Sequence, residues 1–167
     1  MPPRPRPRLD AVDLRILEQL QSDGRCTNAV LAGRVGLSES ACSKRLRRLE
    51  RTGVIEGYRA LIRDGALGPS VTILVQVKLE ASGPAQLRAF ERLIAQVPQV
   101  VECDLVTGEF DYLLRIVVAD TETYLALGDR IAQQFKGIRT WVSSVLLKRT
   151  KSSPLPPTVV EGGLHPG

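Results

Sequence analysis

The chain is 167 residues long, 43% hydrophobic and 25% charged, with mean hydropathy near zero, which leaves room for one medium domain or two small ones. No apolar run approaches the ~20 residues of a membrane span, the opening MPPRPRPR lacks the apolar core of a signal peptide, and three scattered cysteines (Cys26, Cys42, Cys103) without a Cys-x-x-Cys pair form neither a disulfide framework nor a metal site. The sequence pI of about 9.4 is informative through its distribution: residues 1–68 hold thirteen Lys/Arg against eight Asp/Glu, and residues 69–167 hold ten of each.

A positive excess confined to one half is the electrostatic footprint of a polyanion-binding module. A soluble, cytoplasmic protein is expected, with the cysteines acting as small buried hydrophobes. Residues 1–8 alternate Pro and Arg and read as a disordered, polyproline-like basic arm. Asp10 caps a first helix, Asp13 adds negative charge to its first turn, and Val12, Ile16, Leu17 and Leu20 form an apolar stripe. Ser22-Asp23-Gly24 ends it. Thr27 caps a second helix with Leu31, Ala32 and Val35 inward, and Gly36 closes it in the left-handed conformation. Ser38 caps a third helix, Gly53 stops it, and residues 54–58 read as a short strand or wing. The module therefore spans 9–58, followed by a linker over 59–70 with loop chemistry.

The second half changes character. Val71, Ile73, Val75, Val77 and Leu79 alternate with mostly polar neighbours, which predicts a strand with one buried face. Pro84 opens a helix with Leu87, Phe90, Ile94 and Val97 inward. Residues 100–107 predict a second strand, Gly108-Glu109 a turn, and 110–118 a third strand. Asp120 and Thr121 begin a helix carrying Tyr124, Leu127, Ile131 and Phe135; a fourth strand follows over 138–148. The order β-α-β-β-α-β over 71–149 predicts a ferredoxin-like sandwich of two helices on one face of an antiparallel sheet, making the chain α+β. Residues 150–167 are rich in Pro and Gly and read as a disordered tail.

The third helix carries the chemistry. With Cys42, Leu46 and Leu49 turned to the core, a step of about 100° per residue puts Ser40, Lys44, Arg47 and Arg51 on the opposite face, flanked by Ser43 and Arg48. Five cations fall within residues 39–51. In a helix-turn-helix the N-terminal part of the second helix enters the major groove of double-stranded DNA. Ser40, Ser43, Lys44 and Arg47 are thus the base-reading candidates, led by Arg47, whose guanidinium can bond guanine twice; Arg48 and Arg51 suit phosphates.

The segments LDAVDLRILEQLQSDGR, LAGRVGLSESACSKRLRRLERTGVIEGYRA and LVTGEFDYLL closely resemble the Lrp/AsnC (leucine-responsive/asparagine-type, feast/famine) family of prokaryotic transcriptional regulators, in the family's order and spacing from about Leu9 to Lys148. The resemblance implies a winged helix-turn-helix, a ferredoxin-like module that senses an amino acid, and homodimers assembling into higher rings, commonly octamers. It places Gly108-Glu109-Phe110-Asp111 on the family's Gly-x-aromatic-Asp turn. Leu105, Gly108, Asp111 and Thr121 then belong to the effector-response positions, with Ser144, Val145 and Leu146 opposite them on the last strand. From the residues, a hairpin glycine admits close backbone approach and Asp111 offers an anion for an ammonium; without the resemblance, the same residues are a turn and its cap. Ser144 stands where relatives often carry an aromatic or apolar residue, and Trp141 is an unusual large side chain on that strand.

Catalysis finds no support. The sole histidine, His165, lies in the tail, and no H-E-x-x-H, G-x-S-x-G or phosphate loop occurs, so neither an enzyme nor a cofactor is expected. Two other classes remain for comparison: a ligand-independent, nucleoid-organising DNA-wrapping protein, and a small-molecule-binding module whose helix-turn-helix serves protein contacts.

Overall fold

The computed structural model describes residues 8–62, 66 and 68–152. Most of the expected basic arm and tail, and part of the linker, lie outside them. The described chain forms two compact units, one reaching Leu61 and one running from Ile62 to Thr150.

The first unit is three helices: α1 (Ala11–Ser22), α2 (Asn28–Val35) and α3 (Glu39–Arg51). Each begins where a side-chain oxygen satisfies otherwise unpaired N–H groups of the first turn. Asp10 accepts from the amides of Val12 (2.9 Å) and Asp13 (2.8 Å), while Asp13 accepts in return from the Asp10 amide at 3.0 Å, a capping box built from two aspartates. Thr27 and Ser38 cap α2 and α3 through the amides of Val30 and Ala41. Gly36 ends α2 at φ 73°, a conformation that costs most residues a Cβ clash, so the tight turn into α3 needs glycine there. Asn28 Nδ2 donates to the Glu39 carbonyl at 2.9 Å and ties the two helix starts together. The core is Ile16, Leu31, Ala32, Val35, Cys42 and Leu49, with Val12, Leu17, Leu20 and Leu46 half-buried against it.

Residues 54–58 form no strand, contrary to the sequence expectation. The Val54 and Ile55 amides both donate to the Leu49 carbonyl, at 2.9 and 3.2 Å, so these donors close the end of α3 and are not offered to a pairing strand. Val54 and Ile55 also pack on the core.

In the second unit β1 (Val71–Leu79), β2 (Val100–Leu105), β3 (Tyr112–Val118) and β4 (Ile138–Val145) form one antiparallel sheet in the order β2-β3-β1-β4. The helices are α4 (Pro84–Ile94) and α5 (Thr121–Gln134). Alternation decides the faces: Ile73, Val75, Val77 and Leu79 of β1 and Tyr112, Leu114, Ile116 and Val118 of β3 are buried with Phe90, Ile94, Val97, Leu127 and Ile131. Phe90 packs its ring 4.8 Å from Tyr112 and edge-on to Phe135 at 5.5 Å. The two outer strands are less covered. Cys103 on β2 is consequently exposed, correcting the expectation that all three cysteines are interior; Cys26 is half-buried and Cys42 buried. Strands β2, β3 and β4 are shorter than expected, because pairing gives way at the 106–111 hairpin and beyond Val145.

Candidate nucleic-acid interface and effector positions

The α3 wheel divides into an inward and an outward set. Ser40, Lys44, Arg47 and Arg51 are exposed, and Ser43 is half-buried beside them. Ser40 lies 3.3 Å from the Ser38 hydroxyl, at the mouth of the helix-turn-helix turn. Lys44, Arg47 and Arg51 make no ion pair among the described residues, so their charges face solvent and are available to a polyanion.

Arg48 departs from the expectation. Its Nη2 pairs with Asp13 Oδ2, and Arg45 Nη1 reaches Asp13 Oδ1 at 3.0 Å and Asp10 Oδ2 at 2.5 Å. Asp13 is fully buried. Two of the five α3 cations are therefore neutralised by the start of α1, and the guanidinium of Arg48 holds the helices together where a phosphate contact was anticipated. The amides of Asp13 and Val12 and the Arg45 guanidinium all donate to Asp10, the Asp13 amide contributing most, and together they hold its carboxyl below its ordinary range.

In the second unit the hairpin after β2 closes through the Val106 amide on the Asp111 carbonyl at 2.9 Å, with Gly108 exposed at φ 122°. Asp111 also departs from the expectation that its carboxylate awaits a ligand's ammonium. The side chain is buried, and it accepts from Lys78 Nζ (3.0 Å), the Ser82 hydroxyl (2.9 Å) and the Leu79 amide (2.8 Å). Three of its roughly four lone-pair positions are taken within the chain. The carboxylate latches the hairpin onto the end of β1.

The other effector positions do not converge within one chain. Leu105 is exposed at the end of β2 and pairs with Tyr112, which pairs with Val77 of β1. Val145 is exposed and pairs with Ile73, and the Leu146 amide reaches the Thr72 carbonyl at 2.9 Å. Thr121 opens α5 just after β3, whose Val118 pairs with Val71. One group (Leu105, Gly108, Asp111) thus lies at the Val77 end of the sheet, and the other (Thr121, Ser144, Val145, Leu146) at the Val71 end. Four residues along β1 is about 13 Å, and β2 and β4 are three strand spacings apart, about 14 Å, so the groups lie on the order of 20 Å apart.

A family model described as winged helix-turn-helix DNA-binding matches residues 9–56, and one described as Lrp/AsnC ligand binding domain matches residues 72–156. The leucine-responsive regulatory protein of Escherichia coli K12 is 37% identical over 150 residues, covering 90% of this chain and 92% of its own length. The chain belongs to the Lrp/AsnC family. An AsnC family transcriptional regulator from Agrobacterium tumefaciens superimposes with a TM-score of 0.83 at 32% identity, covering 90% of this chain and 99% of that one. A transcriptional regulator from Neisseria meningitidis, solved as an L-Met complex, gives a TM-score of 0.83 at 30% identity over 92% and 99%.

As an Lrp/AsnC protein the chain is a DNA-binding transcriptional regulator with a ligand-binding domain, and the family is one of regulators, not enzymes. No helix among the described residues is long and apolar enough to cross a membrane. Sequence reasoning missed two residues that shape the Lrp/AsnC recognition helix, Asp13 and Arg45. A signal was present: Asp13 stands three and four residues before Ile16 and Leu17, on the apolar stripe itself. A carboxylate on a core-facing stripe requires a buried cation, and the cation-rich α3 supplies two.

Proposed function

We propose that this regulator reads a specific DNA sequence through Ser40, Ser43, Lys44 and Arg47, anchors on phosphate through Arg51, and responds to an amino acid held between copies of the chain. The observation that carries the DNA reading is the division of α3, which leaves Lys44, Arg47 and Arg51 unpaired while Arg45 and Arg48 are engaged by Asp13. A homodimer presenting two recognition helices calls for a pseudo-palindromic operator with half-sites about one or two duplex turns apart, ~10 bp each. Footprinting tests the residue roles. Arg47→Ala is expected to relax preference at one base position, costing about 1–3 kcal/mol of discrimination. Arg51→Ala is expected to weaken all sequences alike and to flatten the log–log salt slope by about 0.9. Two variants that footprint and titrate like wild type would sink the assignment of this face.

The amino-acid reading rests on the ligand-binding family match and on the L-Met complex of the Neisseria relative. The separation of the effector positions across the sheet supports a shared site, with Leu105 and Gly108 from one copy meeting Thr121, Ser144, Val145 and Leu146 of another. Asp111 supports the turn from beneath. Ligand then biases assembly to the extent that its affinity differs between assemblies. A thermal-shift screen of the proteinogenic amino acids followed by size-exclusion chromatography identifies the effector. Leu105→Asp and Val145→Asp are each expected to abolish the response, and mixing the two variants to restore part of it. A mixture as silent as its components would place both groups in a site within one chain and refute the shared site.

A further inference from the structure

Trp141 is the only tryptophan of the chain, and the functions above leave it unexplained. It lines a cleft of about 250 Å³ between α5 and β4, with Leu125, Ala132 and Ile138 as its other apolar walls. That volume lies just below the ~300–1,000 Å³ of drug-sized sites and suits a small metabolite. All of these residues belong to one chain, and the cleft is separate from the shared effector positions.

Three features give the cleft a chemical preference. Gly128 lies in the middle of α5 and lines the cleft. A glycine weakens a helix interior relative to alanine, yet a Cβ added here would meet nothing within 4 Å in the chain. Packing within the chain does not require this glycine, and its effect is to hold the cleft open. Next, Trp141 Nε1 donates to the Tyr124 hydroxyl at 2.8 Å, and the Tyr124 and Ser143 hydroxyls bond to each other. Two hydroxyl protons serve a single mutual bond, so one is left without a partner among the described residues, whichever hydroxyl donates. That proton can meet an acceptor at the polar end of the cleft. Finally, Asp129 lines the cleft and pairs with no cation among the described residues, so the charge there is negative.

We propose that this cleft is a second small-molecule site, taking an apolar primary amine whose ammonium meets Asp129 and whose body packs on the Trp141 indole. An apolar amino acid shares this chemistry, with its carboxylate on the free hydroxyl proton. The site goes beyond the amino-acid response proposed above and does not depend on it, because it needs only one chain.

Trp141 reports its own site. The full-length protein is titrated with 2-phenylethylamine and, separately, with L-phenylalanine, with indole emission as readout. A saturable change with the amine is expected, about tenfold weaker in Asp129→Asn for loss of a charged contact. It is expected to vanish in Gly128→Leu, whose side chain fills the cleft, while the melting midpoint of that variant stays at or above that of wild type. Tighter binding of the amine marks amines as the ligand class, and tighter binding of phenylalanine marks amino acids; either supports the site. No saturable change with either probe overturns it, as does a response that survives in Gly128→Leu. Emission that shifts with protein concentration in the absence of probe also overturns it, since another copy then covers the cleft.

Discussion

Asp13→Ala is expected to destabilise the N-terminal unit by about 3–5 kcal/mol, the range for removing one partner of a buried ion pair. Asp13 is fully buried and receives Arg45, Arg48 and the Asp10 amide. Its loss leaves two guanidinium groups converging on a hollow with no counter-charge, and it also opens half of the capping box. A unit of this size holds only a few kcal/mol in total at ~0.05–0.15 kcal/mol per residue, so the expected loss approaches the whole. A urea melt followed by helical circular dichroism measures it, with the exposed Arg47→Ala as the control that leaves the midpoint in place. Arg48→Ala should lower stability less, because Arg45 still pairs with Asp13, and it should leave the salt slope of DNA binding unchanged where Arg51→Ala flattens it. A wild-type melt for Asp13→Ala would show that the pair does not hold α3 against α1.

Asp111→Ala is expected to destabilise the C-terminal unit by about 2–4 kcal/mol, since it strands a buried amide and the partly buried Lys78 ammonium. Burial alone would raise the Asp111 carboxyl, but the Leu79 amide, Lys78 and the Ser82 hydroxyl together outweigh it and hold the carboxyl below its ordinary value. A depressed native pKa means that the unfolded chain takes up the proton first. This contribution to stability is complete above the ordinary carboxylate pKa of about 3.9 and is lost as pH falls from there through the lower native value. Trp141 lies in the same unit, so its emission follows the melt. Wild type is expected to lose stability steeply as pH falls below about 4, and Asp111→Asn to lack that component while starting from lower stability at neutral pH. Equal pH profiles would remove the latch. Loss of amino-acid response in an Asp111 variant therefore identifies a ligand contact only if its melt is unchanged.

The relation between sequence and structure differs between the two units. Helix starts were legible because caps are local: Asp10, Thr27, Ser38 and Asp120 each satisfy amides two or three residues ahead, and such reach is written in spacing. The buried faces of β1 and α5 were legible because strand and helix periods sort residues without knowledge of a partner. The expected wing at 54–58 failed because strand formation depends on a partner for its amides, and the Leu49 carbonyl took them. Strand ends failed for a similar reason at Asp111, where the backbone turns its donors to β1.

The amino-acid sequence by itself determined the order of elements, the confinement of positive charge to the first half, and the exposed face of α3 that carries Ser40, Lys44, Arg47 and Arg51. These depend on spacing and charge, which act over a few residues or are simply counted. Only the tertiary structure decided which charges are free. Arg48 looked equivalent to Arg51 on the helical wheel, yet Asp13, thirty-five residues away in the chain, engages it. Asp111 looked like a ligand anion, yet Lys78, Leu79 and Ser82 surround it. Sheet order then set the two groups of effector positions at opposite ends, a separation that chain spacing does not reveal. Pairing between distant residues depends on where burial removes water, because a charge without solvent must take the counter-charge that the fold brings to it.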